Sequence, residues 1–182
     1  MDGVVHEESW EGEENMDDAL YPDDNIWPND DIDDAMAGDD GLFSMPGEFL
    51  NYTVREYNAL VGFYRYTGRG KWANKDLWLS DSSVCDWCGV GCNEDQSVTS
   101  LELNQNSIVG SFFDIGSLFL RQLANLTMLD LENNALSGTI PTEIGRLVRL
   151  THLKLGNNVL TGFIPTSLSQ LPQLESLELQ GN

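Results

Sequence analysis

Basic side chains are absent from the first quarter of this 182-residue chain. Between Met1 and Glu48 there is no lysine and no arginine, against 17 of the 30 acidic residues. The other 13 acids share the rest of the chain with all nine bases, so most of the formal net charge of -21 sits in the leading segment. Such a charge repels phosphate backbones and argues against nucleic acid as a partner. Histidine is scarce too, with only His6 and His152. The chain holds no GxSxG, no glycine-rich phosphate loop and no HExxH, so the usual pairings of nucleophile and base cannot be assembled, and no catalytic residue and no cofactor is expected. It also lacks a basic and apolar leader, and no stretch reaches the ~18 apolar residues of a membrane span.

What is present in the leading segment is carboxylate, interrupted by Pro22, Pro28, Gly38 and Pro46. Ordering costs roughly 1 to 2 kcal/mol per residue of backbone, and this composition has too little apolar area to offset it. Residues 1–47 are therefore expected to form a disordered acidic tail. Trp10, Tyr21, Trp27 and Phe43 leave room in it for a docking segment toward a basic partner. The string DDNIWPNDDIDDAMAGDD suggests a calcium loop, but no register supplies the alternate ligands, the central glycine and the terminal glutamate that such a loop requires.

From Val98 onward the chain repeats. Units start at Val98, Leu126, Leu150 and Leu174, spanning 98–125, 126–149, 150–173 and the partial 174–182. A fixed period in the twenties indicates a solenoid, each unit burying its apolar face on its neighbours. Within a unit, LxxLxL puts alternate leucines on one side of a short strand and the residues between them on the other, facing water. Asn106, Asn134, Asn158 and Asn182 recur at a fixed offset, where an amide can bond backbone groups left open by a bend. Leu136, Gly138, Ile140 and Pro141 follow, repeated at Leu160, Gly162, Ile164 and Pro165. This resembles the plant-type leucine-rich repeat, LxxLxLxxNxLxGxIPxxLxxLxx. The first unit departs from it, with Phe112 and Phe113 at the Ile and Pro positions and four extra residues. Leu174, Leu177 and Leu179 begin a unit that stops at Asn182, an end expected to expose apolar surface and to associate end to end.

Between tail and repeats, residues 48–97 read as a cap. Thr53 and Glu56 form a T-x-x-E capping box. Val54, Tyr57, Leu60, Val61 and Tyr64 follow at helical spacing, with Gly68 available to stop the helix. Three cysteines allow three single pairings with one thiol left over. Alternatively Cys85, Cys88 and Cys92 offer three soft ligands to a metal and suggest a metal-binding or redox protein; His6 and His152 are too distant to complete the set. The string CDWCGVGC resembles CxWxGVxC of the N-terminal domain that precedes plant-type leucine-rich repeats. That resemblance implies a Cys85–Cys92 disulfide with Trp87 packed between, and leaves Cys88 at a variable position. It covers about Glu48 to Asn182 and implies an α/β solenoid, the leucine-rich repeat right-handed superhelix with a helical N-terminal cap.

Receptor-like proteins, receptor-like kinases and polygalacturonase-inhibiting proteins share this architecture. The resemblance implies a fragment of such a protein, non-catalytic, binding a protein, peptide or glycan on the concave strand face. The same fold also serves inhibitors of secreted cell-wall hydrolases. The candidate partner-binding residues are Glu102, Asn104, Met128, Asp130, Glu132, His152, Lys154, Glu178 and Gln180, a net acidic set suited to a ligand with basic groups. Sequons at Asn51 and Asn125 are N-glycosylation acceptors and, with a disulfide, suit an extracellular or cell-surface setting. The missing leader leaves a cytosolic, unbridged protein as the other reading.

Overall fold

The computed structural model describes residues 54–68 and 71–182, all within Leu42–Asn182, the second of two units of the chain. The acidic tail, the Asn51 sequon and Thr53 lie outside the described residues.

Helix α1 (Val54–Tyr66) turns Ala59, Leu60, Val61 and Phe63 inward. It ends near Gly68, whose φ of 96° suits a residue without a Cβ. The expected capping box pairs Glu56 with Thr53, which lies outside the described residues, and Glu56 has a further role within them. It is 3% exposed, and the Val98 N–H donates to its carboxylate at 3.4 Å. The first turn of α1 lies against the first repeat strand, so the carboxylate meets that strand's backbone.

Beyond α1 an aromatic wedge forms that the helical pattern alone does not announce. Ring centroids of Tyr64 and Trp72 lie 4.9 Å apart, those of Trp72 and Trp78 4.8 Å, and those of Trp78 and Trp87 4.9 Å. All three tryptophans are buried. Two of them keep their indole N–H groups satisfied, Trp72 donating to Thr67 O at 2.7 Å and Trp78 to Cys88 O at 2.8 Å. Strand β1 (Val90–Cys92) then pairs antiparallel with β2 (Val98–Glu102). Cys85 and Cys92 are bridged and Cys88 is free. The bridge removes two of the three thiolates on which the metal-binding reading depended.

The repeats build two parallel ladders. In one, β2 is followed by β4 (Met128–Asp130), β6 (His152–Lys154) and β8 (Ser176–Glu178); in the other, β3 (Val109–Ser111) leads to β5 (Ala135–Gly138) and β7 (Val159–Leu160). Leu101, Leu129 and Leu153 stack in register at 0% exposure, each contributing roughly 1.5 to 3 kcal/mol of burial. Leu177, on the edge strand β8, is 42% exposed.

At the bend after each leucine strand the recurring asparagine is fully used. Asn134 Oδ1 accepts from the N–H groups of Asn106 and Ile108, both at 3.0 Å, and its Nδ2 donates to the carbonyls of Leu103 and Leu131, both at 2.9 Å. Asn158 repeats the pattern, accepting from Leu136 and donating to Leu131 and Leu155. Asn106 turns the same amide toward the cap, donating to Asn74 O at 2.8 Å and accepting from Asn74 N at 2.6 Å. The residue just before the ladder asparagine, Gln105, Asn133 or Asn157, is left-handed, with φ between 51° and 56°.

In the first unit the four extra residues are absorbed by helix α2 (Phe112–Phe119), which buries Phe112, Ile115 and Phe119. The regular units use short 3-10 helices there, Thr142–Arg146 and Thr166–Gln170. The Phe112-Phe113 pair thus splits, Phe112 at 0% exposure and Phe113 at 51%. Ile164, a repeat consensus position, is 60% exposed.

Replacing Asn134 by Ala orphans backbone groups in two coils and should lower unfolding free energy by about 2 to 4 kcal/mol in urea titration. Loss of the short bridge in Cys85→Ser should cost about 2 to 3 kcal/mol, seen as a lower thermal midpoint. Cys88→Ser should cost under about 1 kcal/mol; equal losses for the two would show that the bridge contributes nothing.

Candidate functional site

The parallel register lines the candidate residues up in columns. Ser100, Met128, His152 and Ser176 face one another across β2, β4, β6 and β8, and so do Glu102, Asp130, Lys154 and Glu178. Asn104, Glu132, Gly156 and Gln180 follow two residues later in each unit. Strands lie roughly 4.8 Å apart, so side chains of successive units can touch.

They do touch, and not uniformly. Glu102 is exposed and accepts from Ser100 Oγ at 3.4 Å. Asp130 was expected to face water but is only 6% exposed. Its Oδ2 accepts from Asn104 Nδ2 at 3.1 Å, its Oδ1 accepts from Glu132 N at 3.1 Å, and the neighbouring side chains cover it. Buried carboxylates persist when bonded in this way. Lys154 lies 3.6 Å from Glu178, a half-buried pair worth under about 1 kcal/mol. Met128 is half-buried beside them.

His152 has its tautomer set by its neighbour. Thr151 Oγ1 donates its one proton to Thr127 O at 2.8 Å, so at 2.9 Å from His152 Nδ1 it can only accept. Neutral His152 therefore carries its proton on Nδ1 and offers Nε2 as an acceptor. The threonine belongs to a ladder overlooked at the sequence level: Thr127 Oγ1 donates to Thr99 O at 2.9 Å, and Thr151 continues the series. Its signal was visible in Val98-Thr99, Leu126-Thr127 and Leu150-Thr151.

Also overlooked was the role of Gly156. Gln180 Nε2 reaches across it to donate to Glu132 Oε1 at 2.9 Å, joining residues 48 apart in the chain. Asn157 Nδ2 donates to the same oxygen at 3.4 Å. Of the sequons, Asn125 is half-buried in the turn before Leu126. Among the described residues no group of three or more His, Cys, Asp or Glu is placed to hold a metal, and no helix is long and apolar enough to cross a membrane.

The structure is a solenoid with a bonded asparagine ladder, two parallel ladders and a capped first coil, and comparison with known proteins finds relatives of the same kind. Residues 124–182 match the family model for leucine rich repeat. A probable leucine-rich repeat receptor-like protein kinase of Arabidopsis thaliana is 36% identical over 100 residues, covering 51% of this chain and 8% of the relative. Receptor-like protein 35 of the same plant is 42% identical over 71 residues, covering 38% of this chain and 7% of the relative. Among solved structures, the PEPR1–AtPEP1 crystal structure matches with a TM-score of 0.58 and 27% identity, over 69% of this chain and 18% of that one. Over residues 124–182 the chain matches leucine-rich repeats, it is similar to plant receptor-like proteins, and it spans less than a tenth of these curated relatives' length.

The buried position of Asp130 makes a sharp contrast with Glu102 in the same column. Asp130→Lys should cost about 3 to 5 kcal/mol by burying an unpaired charge, while Glu102→Lys should stay within about 0.5 kcal/mol, both read from chemical denaturation.

Proposed function

We propose that this chain is a non-catalytic recognition module that binds a protein or peptide ligand carrying basic groups on the strand face formed by β2, β4, β6 and β8. The observation that carries the reading is the register itself. It aligns Glu102, Asp130, Lys154 and Glu178 in one column beside His152, with Glu132 two residues after Asp130. Closely spaced like charges on one surface sum their fields, steer an oppositely charged partner and lose that pull as salt screens them. Support comes from the likeness to receptor-like proteins and to PEPR1, which was crystallised with AtPEP1. The same likeness, with the Cys85–Cys92 bridge, supports an extracellular or cell-surface setting.

A lysine- and arginine-containing octapeptide, titrated by fluorescence anisotropy, tests the reading. Its affinity should fall steeply between roughly 0.05 and 0.5 M salt. In the double variant Glu102→Lys with Glu178→Lys it should fall by about tenfold or more. Binding that ignores both salt and charge reversal would overturn the assignment of this face.

A further inference from the structure

Gly156 stands in a column whose other members, Asn104, Glu132 and Gln180, all have polar side chains. Its backbone is not in the left-handed region, so conformation does not demand glycine there. Space does. A Cβ on Gly156 would come within 2.7 Å of Gln180 Nε2, 3.0 Å of Gln180 Cδ and 3.0 Å of Glu132 Oε1. The missing side chain is what lets Gln180 lie across one coil and bond Glu132 in the coil beyond it at 2.9 Å.

A carboxylate only accepts, so the Gln180 amide must turn its NH2 group toward Glu132 and its oxygen away. Oε1 of Glu132 is occupied twice over, by Gln180 and by Asn157. Two acceptors on the same bonded unit stay open among the described residues: Oε2 of Glu132 and Oε1 of Gln180. One carries charge, and both are fixed in direction by the bond between their groups.

We propose that the bridge over Gly156 is a seat for a guanidinium group, with Glu132 and Gln180 as the specificity-determining pair that prefers arginine to lysine in the ligand. This rests on the proposed binding of basic ligands to the strand face. A guanidinium presents parallel N–H donors in a rigid plane and can engage two neighbouring acceptors together, whereas an ammonium is a compact, strongly hydrated point charge that gains little from their alignment. The buried Asp130 carboxylate, bonded to Glu132 N, adds negative potential from below without offering an exposed oxygen of its own.

The test compares two octapeptides identical except that every basic position is arginine in one and lysine in the other, titrated against the full chain, Gly156→Ala and Gln180→Ala. Circular dichroism and thermal midpoints confirm that each variant folds; the added methyl in Gly156→Ala meets only the far ends of flexible side chains. In the unmodified chain the arginine peptide should bind about tenfold tighter, the worth of one added charge-assisted contact. In both variants the ratio should collapse to about one through loss of arginine affinity. Salt-dependent binding of both peptides with equal affinity would overturn the guanidinium seat while leaving the acidic-face reading standing. An arginine preference that persists in both variants would overturn the seat as well. Failure of either peptide to bind in a salt-dependent way would overturn the seat and the face together.

Discussion

A chain that coils through a bend in every repeat must satisfy the backbone groups that each bend uncovers, and the side-chain amide of one asparagine per coil does so. Asn134 bonds backbone groups drawn from two coils through both its oxygen and its nitrogen, and Asn158 does so for the next pair. Because each amide spans two coils, it sets their separation and register at once. The leucine columns can then stack only in the order observed. An apolar side chain at these positions would keep the core and leave the bends unbonded, so burial alone does not specify this solenoid.

The same amide explains how the cap fits. The first coil has no preceding unit to receive Asn106, and residues 73–74 of the cap supply the missing partners, with Ala73 N also bonding Asn106 O at 3.0 Å. Glu56 plays the matching part at the start of β2 by taking the Val98 N–H. The cap therefore imitates a coil in its hydrogen bonds while differing from one in its core, which is filled by tryptophan rather than leucine. A shared bonding pattern with a different filling lets a helix and an irregular segment close a sheet-lined end.

Much of this was legible in the residues. Periodicity disclosed the stacked leucines and the recurring asparagine, because both repeat at fixed offsets and depend on neighbours one period away. The Cys85–Cys92 bridge was legible only by resemblance to a known cap. What escaped were contacts without a period. The tryptophan wedge joins Trp72, Trp78 and Trp87 through a segment with no regular spacing. The burial of Asp130 depends on which side chain the adjacent coil presents, here Asn104, and alternation along a strand carries no information about that neighbour. The bridge from Gln180 to Glu132 needs Gly156 to be small, a relation among three coils that no single unit displays.

That last class of contact shows how such a face can vary while its scaffold is monotonous. The leucines, asparagines and threonines are held nearly constant by the need to stack, so variation is confined to the few positions between and just after the strand leucines. Their side chains meet across coils as well as within them, and the chemistry of the face is set by combinations. Asn104 with Asp130 converts an outward carboxylate into a buried structural acceptor; Lys154 with Glu178 neutralises a charge; Gly156 with Gln180 and Glu132 turns a free carboxylate into a directed one. A single substitution on this face therefore acts on the adjoining coils as well as on its own. The face is properly described by its cross-coil pairs, and a count of its charges alone overstates its accessible acidity, since Asp130 contributes potential but no accessible oxygen.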